Sequence, residues 1–356
     1  MKHSWTGVIR GIREQARTAY ARSLCLSQRV RYVQSCLLAK IWYIAQIIPQ
    51  TTTQAQQITA VSTGFIWQGA IFRIPVMSLH RPKEEGGWGF PNIHAKCRTL
   101  LYNRIQMMGE SDRTVISTHM DLLKLTHIMI PSKLPQIRQY ARDTAYILPD
   151  NESDTRKTFK RRIYEVLGNR DLAKYGIQEP RIVRNNPGIP WRRIWTSLHS
   201  PVVPEMVKSA WFAAIHDIVP TNDRLASIHL ANTSSCARCG EVDFIQNKIT
   251  ECMEGQIIWN WTRSKLGKIL RMDTRHIPPD WPIRPAFHYW PPQRQSALIW
   301  IMAHLVYHRL QSHKRQSLHD FMDFLKRARW NTNHPSTRRP TGRYLDVFDA
   351  HYKAWD

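Results

Sequence analysis

Residues 26–49 read LSQRVRYVQSCLLAKIWYIAQIIP, and the spacing of their apolar side chains decides the fold class. Val30, Val33, Leu37, Ile41 and Ile44 recur at steps of three and four, so one face of an α-helix carries them all. Ser27 stands where an N-cap is needed and Pro49 closes the run. The most apolar part, Leu37–Ile48, falls well short of the roughly 20 residues that cross a bilayer, as does Ala297–Tyr307. Both read as core helices of a chain with no membrane partner.

The pattern continues on either side. Ser4–Arg22 places Val8, Ile12, Ala16 and Ala19 at helical spacing with basic residues between them, and from Thr52 a further helix carries Ile58, Val61 and Phe65 before stopping near Gly69. Successive helices with short connections imply a small bundle. The stretch AIFRIPVMSLHRPKEEGGWGFPN (70–92) changes character, with three prolines, three glycines and apolar alternations that predict one or two brief strands. Pro91 and Asn92 then start a helix lined by Ile93, Cys97, Leu101, Ile105 and Met108.

Beyond Ser111 the periodicity weakens; PDNESDTRKTFKRR (149–162) is the linker candidate, and Pro180, Pro187 and Pro190 mark a second junction. In residues 191–230 the apolar positions Val203, Val207, Ala210, Ala214 and Ile218 define a helix broken by Pro220, with Thr221 capping the next. Helices near 294–311 and 315–330 precede a basic tail. The expected organisation is mainly α: a helical thumb-like bundle over 1–110, a linker with connecting helices over 111–190, a second helical domain over 191–335 holding a small Cys-rich knuckle, and the tail 336–356.

The 51 lysines and arginines against 27 aspartates and glutamates give a net charge of +24. The excess is spread along the chain, with 19 basic against 8 acidic residues in 1–150, 13 against 8 in 151–235 and 19 against 11 in 236–356. Such a balance points to a polyanionic partner, RNA or DNA first. Arg10, Arg13 and Arg17 fall on one helical face; Arg29, Lys40, Arg73, Lys83, Arg192 and Arg193 are further candidate phosphate contacts. Trp191 and Trp195, flanking Arg192 and Arg193, read either as base-stacking platforms or as core anchors. Six cysteines without a secretory signal argue for a reducing compartment, nuclear or cytoplasmic, and Cys25, Cys36 and Cys97 read as buried thiols.

Residues 26–49, then GFIWQG (64–69), then LHRPKEEGGWGFPNI (79–93) resemble, in order, the thumb that follows the catalytic palm in LINE-type (non-LTR) retrotransposon reverse transcriptases. Leu79, Pro82, Lys83, Glu84, Gly86 and Gly87 match the loop pattern of that family. WRRIWTSLHSP (191–201), PTNDRLASIHL (220–230) and CARCG (236–240) resemble the C-terminal zinc-binding segment of the same polyproteins, so the resemblance covers about residues 5–330. It implies a piece of a mobile-element protein that grips template RNA or a primed duplex; a separate reading, on which the sequence is silent, is that the chain works only in trans with a full-length element reverse transcriptase.

Polymerisation is not expected, because the family's palm holds two Mg²⁺ on adjacent aspartates and no Asp-Asp pair occurs in the chain. The fingers and palm are expected upstream of Met1. A nuclease of the kind some of these elements carry is not expected either: Pro279-Asp280 is present, but no lysine has an acidic residue two positions before it. The competing expectation is a decayed or host-adopted scaffold with no specific nucleic-acid partner.

In the resembled segment four zinc ligands run Cys, Cys, His, Cys. Here Cys236, Cys239 and Cys252 keep the spacing and Asn247 stands at the histidine position. An amide oxygen is a hard, weak donor, whereas zinc among thiolates takes nitrogen or sulfur. Three thiolates would hold zinc if His229, Asp243, Glu241 or a water completed the set, so zinc is the candidate cofactor.

Overall fold

The computed structural model describes residues 5–111, 156–175, 179–284, 292–311 and 316–333. The chain is mainly helical; among the described residues there is no strand, and the one β-type pairing is an isolated antiparallel bridge between Ser235 and Val242. In chain order the α-helices begin with α1 (Trp5–Tyr20), α2 (Leu26–Tyr32), α3 (Leu38–Ile44), α4 (Thr52–Trp67), α5 (Val76–His80) and α6 (Ile93–Ser111). Then come α7 (Arg156–Tyr175), α8 (Arg181–Arg184), α9 (Trp191–Leu198), α10 (Glu205–Ile215) and α11 (Asn222–Ser227). The last are α12 (Met253–Leu270), α13 (Pro292–Gln311) and α14 (Leu318–Asn333). No described helix is long and apolar enough to cross a membrane.

Two compact units form: Met1–Leu24 with Gln28–Gly69 and Phe90–Gln178, and Cys25–Ser27 with Ala70–Gly89 and Glu179–Asp356. This division differs from the expected boundaries near residues 110 and 190. The expected tail and most of the expected linker lie outside the described residues.

In the first unit α1 packs on α4, and α6 packs on α4 and α7. Trp5, Ile9, Ile12, Ala16 and Ala19 form the buried stripe of α1, one position off the expected one at its start, since Val8 is only half-buried. Residues 26–44 fold as expected except for a π turn at Val33–Leu37, where the Leu38 N–H donates to the Val33 carbonyl. Val33, Leu37, Leu38 and Ile41 are fully buried around it. Ser27, which belongs to the second unit, does not cap: it is buried inside α2 and its hydroxyl donates to the Glu205 carbonyl of the same unit at 3.2 Å.

The cap of α4 is built by Thr51 and Gln54, each side chain bonding the other's backbone N–H. Part of the expected linker is helical, because α7 buries Ile163 and Leu167 against Ala95 and Tyr102, and the Tyr164 hydroxyl accepts the Asn92 N–H at 3.0 Å. Burial of these apolar side chains overrides the polar composition that suggested a linker. Cys97 is buried, and burial pushes its thiol up to about 12; Cys25 and Cys36, expected to be buried, are half-exposed.

The second unit pairs α10 with α13, and α13 with α12 and α14. Trp211, Trp300, Phe212 and Phe321 are fully buried there, and the Trp211 indole donates to the Pro282 carbonyl at 2.7 Å. The helix expected from Val203 to Ile218 is α10, Glu205–Ile215, and a separate α9 precedes it, with Pro201 and Pro204 lying between the two.

The brief strands expected in 70–92 are absent; α5 and a 3₁₀ turn at Lys83–Glu85 occur instead. Pro75 and Pro82 lack the donors a strand requires, and the loop closes on itself, with Trp88 N–H on the Leu79 carbonyl and Gly89 N–H on the Arg81 carbonyl. Gly86 has φ +82°, and a Cβ there would lie 2.7 Å from the Trp195 ring. At Gly87 a Cβ would lie 2.0 Å from the Arg81 carbonyl oxygen and 2.7 Å from that of Ser78. Because backbone closes over Gly87 on both sides, Gly87→Ala is expected to destabilise the second unit by about 3 kcal/mol or more. Gly64→Ala, in α4 with nothing within 4 Å of the added methyl, should be neutral or stabilising by up to ~1 kcal/mol. Paired denaturant titrations followed by tryptophan fluorescence check both signs.

Candidate metal centre

The knuckle is a tight turn followed by a π turn. Cys236 N–H donates to the Glu241 carbonyl at 2.6 Å and Gly240 N–H to the Cys236 carbonyl at 2.9 Å, which folds Cys236 and Cys239 onto one side of the turn. The chain then enters the π turn Asn247–Glu251, whose widened ring is closed by Cys252 N–H on the Asn247 carbonyl at 2.9 Å. Cys252 is the N-cap residue directly before α12. A π turn shifts the register of the following residues, and here it carries Asn247 and Cys252 to the same place.

The three sulfurs lie within 4.8 Å of one another. Zinc–sulfur bonds of about 2.3 Å in a tetrahedron set the sulfurs about 3.8 Å apart, so this cluster is close to the size a metal ion requires. Three close cysteines that could hold a metal ion are therefore present in the fold. Cys236 and Cys239 are part-exposed and Cys252 is buried.

Burial and the nearby Cys236 push the Cys252 thiol up to about 11. Burial acts to raise Cys239 as well, but hydrogen bonds from the Asn247 side chain, the Glu241 backbone and the neighbouring thiols outweigh it and hold Cys239 below its ordinary range.

Asn247 is the decisive neighbour. It is 3% exposed, and its Nδ2 and Oδ1 lie 3.6 and 3.8 Å from the Cys239 sulfur. The frame read from the sequence thus corresponds to a real position beside the thiols, filled by an amide. The substitutes do not take its place. Asp243 is buried, but its Oδ2 accepts the Asn222 N–H at 2.9 Å at the start of α11. His229 is exposed at φ +59°, and neither it, Asp243 nor Glu241 joins the cluster of possible ligand atoms among the described residues.

Behind the thiols runs an ionic network that spacing alone did not reveal. Arg309 of α13 is 3% exposed; its Nε donates to the Lys248 carbonyl at 3.1 Å and its Nη1 to Gln316 Oε1 at 2.7 Å. Glu254 at the start of α12 accepts Arg238, from inside the Cys-x-x-Cys turn, and lies 3.7 Å from the Arg309 guanidinium. The two turns and two helices of the knuckle are thereby tied together by charge. A small cavity of about 210 Å³ beside the thiols is lined by Arg238, Lys248 and Arg309 with Asn222 and Asp243.

The candidate phosphate contacts divide between the units. Arg10, Arg13, Arg17 and Lys40 are exposed on the first, and Arg29 there is half-buried; Arg73, Lys83, Arg192 and Arg193 are exposed on the second, with the Arg73 Nε donating to the Ala70 carbonyl. Trp191 and Trp195 are buried and stacked on each other, with centroids 5.5 Å apart. Their base-stacking reading is thereby excluded, since a ring at 7% or 1% exposure has no face to offer a nucleotide. No protein-family model matches the chain, and no curated protein is significantly similar to it.

Proposed function

We propose that the chain is a nucleic-acid-binding piece of a LINE-type reverse transcriptase polyprotein, without polymerase chemistry of its own, that holds template RNA or a primed duplex through phosphate contacts. The observation that carries this reading is α1. Its buried stripe fixes the helix rotation, and the solvent-facing flank beside that stripe presents Arg10, Arg13 and Arg17 in a chain of net charge +24. Arginines three and four positions apart on a helix are neighbours on one face, a spacing suited to following a phosphate backbone without reading bases. The collinear resemblance, with Gly86 and Gly87 required by close packing, adds the family to the charge.

Fluorescence anisotropy with a structured RNA and a primed RNA–DNA duplex tests this. Affinity should fall linearly on a log–log plot between about 50 and 200 mM salt. Replacing Arg10, Arg13 and Arg17 together by alanine should reduce the slope by up to about 3, at roughly 0.9 for each phosphate no longer neutralised. Salt-insensitive or absent binding would refute the proposal and leave the scaffold reading.

A further inference from the structure

The Cys-x-x-Cys turn supports a chemistry that needs no metal. Cys236 and Cys239 are both part-exposed, with their sulfurs within 4.8 Å, while Cys252 is buried and tied through its N–H to the Asn247 carbonyl. We propose that Cys236 and Cys239 form an oxidation site, closing to an intramolecular disulfide when the metal-free protein meets a peroxide. The site is independent of the nucleic-acid reading, because it rests only on the placement of these thiols.

A disulfide requires sulfurs about 2.05 Å apart, so the pair must approach by less than about 3 Å. The two residues are joined by a turn, and only Ala237 and Arg238 stand between them. Arg238 anchors the turn to Glu254, and Gly240 N–H anchors it to the Cys236 carbonyl, so both sulfurs stay on the same side as they approach. Cys252 is the worse partner: at 2% exposure it meets little dissolved oxidant, and it sits where the π turn meets α12.

The step balances with hydrogen peroxide as oxidant. The sulfur of one thiolate attacks a peroxide oxygen, the O–O bond breaks, and hydroxide leaves and becomes water by taking up the proton the thiol had released. The second thiol's sulfur then attacks the sulfenic sulfur; the S–S bond forms, the S–O bond breaks and a second water departs with that thiol's proton. Two thiols lose two electrons in all, and one peroxide yields two waters.

The test uses the full chain, reduced and freed of metal by a chelator, treated with stoichiometric hydrogen peroxide, alkylated and mapped by peptide mass spectrometry. The peptide holding Cys236 and Cys239 should become about 2 Da lighter and resist alkylation, on the order of tenfold faster than the part-exposed reference thiols Cys25 and Cys36 are oxidised. Dithiothreitol should restore both thiols. In Cys239→Ser the peroxide should leave a sulfenic acid on Cys236 that dimedone traps. Oxidation of Cys25 and Cys36 at the same rate, or a link made through Cys252 in place of Cys239, would overturn the proposal. So would an equal closure rate in the guanidinium-unfolded chain, since proximity in sequence alone would then account for the reaction.

Discussion

An Asn247→His variant is expected to bind one zinc ion on the order of 100-fold or more tightly than the chain with asparagine, because it supplies the nitrogen that three thiolates lack. The geometry is already set. The Asn247 amide nitrogen is 3.6 Å from the Cys239 sulfur, and nitrogen and sulfur ligands on one tetrahedral zinc are about 3.5 Å apart. A histidine Nδ1 stands at nearly the same distance from Cα as that amide nitrogen, so the exchange places a donor where a ligand is needed. Competition against a chromophoric chelator measures the change. A zinc-dependent rise in Tm confined to the variant gives a second readout, because an ion bound only by the folded state stabilises it by mass action. Equal zinc affinity in the two proteins would show that water or another side chain already completes the site and that Asn247 is not its gap. Asn247→Ala separates loss of the amide from gain of the imidazole and should leave zinc binding weak.

The ionic network explains how the knuckle can keep its shape with three thiols and an amide at its centre. In small zinc modules the metal holds two turns together and supplies much of the folding free energy. Here Arg309 bonds the π turn at Lys248 and meets Glu254, which also takes Arg238 from the first turn. The connections a metal would make between the turns are duplicated by guanidinium and carboxylate groups one layer behind the thiols. Asn247 fits the same picture, since its amide satisfies the sulfur of Cys239 while its backbone closes the π turn.

Helix existence was legible wherever an apolar stripe is long: the stripes of α1, α4 and residues 26–44 could be read from spacing alone, and the fold class followed. What was hidden depends on distant parts of the chain. The π turn at Val33–Leu37 leaves the apolar spacing readable, and nothing local marks it. Ser27 reads as a cap until Glu205, far along the sequence, takes its hydroxyl. Residues 156–162 read as linker because their composition is polar, and only the burial of Ile163 and Leu167 against α6 reveals the helix. At the candidate centre the cysteine spacing and the gap at Asn247 were legible. Arg309 was not, because it lies 57 residues after Cys252 and nothing in ALIWIMAHLVYHRL sets it apart from a surface arginine near a helix end.

Acid is expected to unfold the second unit well above the range in which carboxylates titrate, because that unit buries neutral histidines. His216 is half-buried among aromatic rings; its Nε2–H donates to the Gly86 carbonyl at 2.9 Å, and its ring lies 4.8 Å from Trp195 and 4.2 Å from Phe212. His304 is fully buried and donates from Nδ1 to the Trp300 carbonyl at 2.7 Å. Burial lowers both from 6.5 to about 4, and the same cause lowers His199 and His308. A depressed pKa makes the native state the weaker proton binder. The stabilisation is therefore fully present above about pH 6.5, where neither state is protonated, and is lost as pH falls towards 4, where the unfolded chain takes up protons that the native core refuses. Each buried histidine then costs on the order of 3 kcal/mol, and two together rival the whole stability of many domains, about 5–15 kcal/mol. Asp273 and Asp320, held low by hydrogen bonds from Arg275 and from Ser317, act with the same sign, but their contribution is lost mainly below about pH 5, as the unfolded carboxyls take up protons. Urea titrations from pH 7 to 4.5 should show the midpoint for this unit falling steadily, and His216→Phe, which keeps the ring packing, should flatten the dependence by roughly one proton. A midpoint that stays constant across this range would mean that the imidazoles reach water in the native state, and the packing of Gly86 and Trp195 around His216 would have to be redrawn.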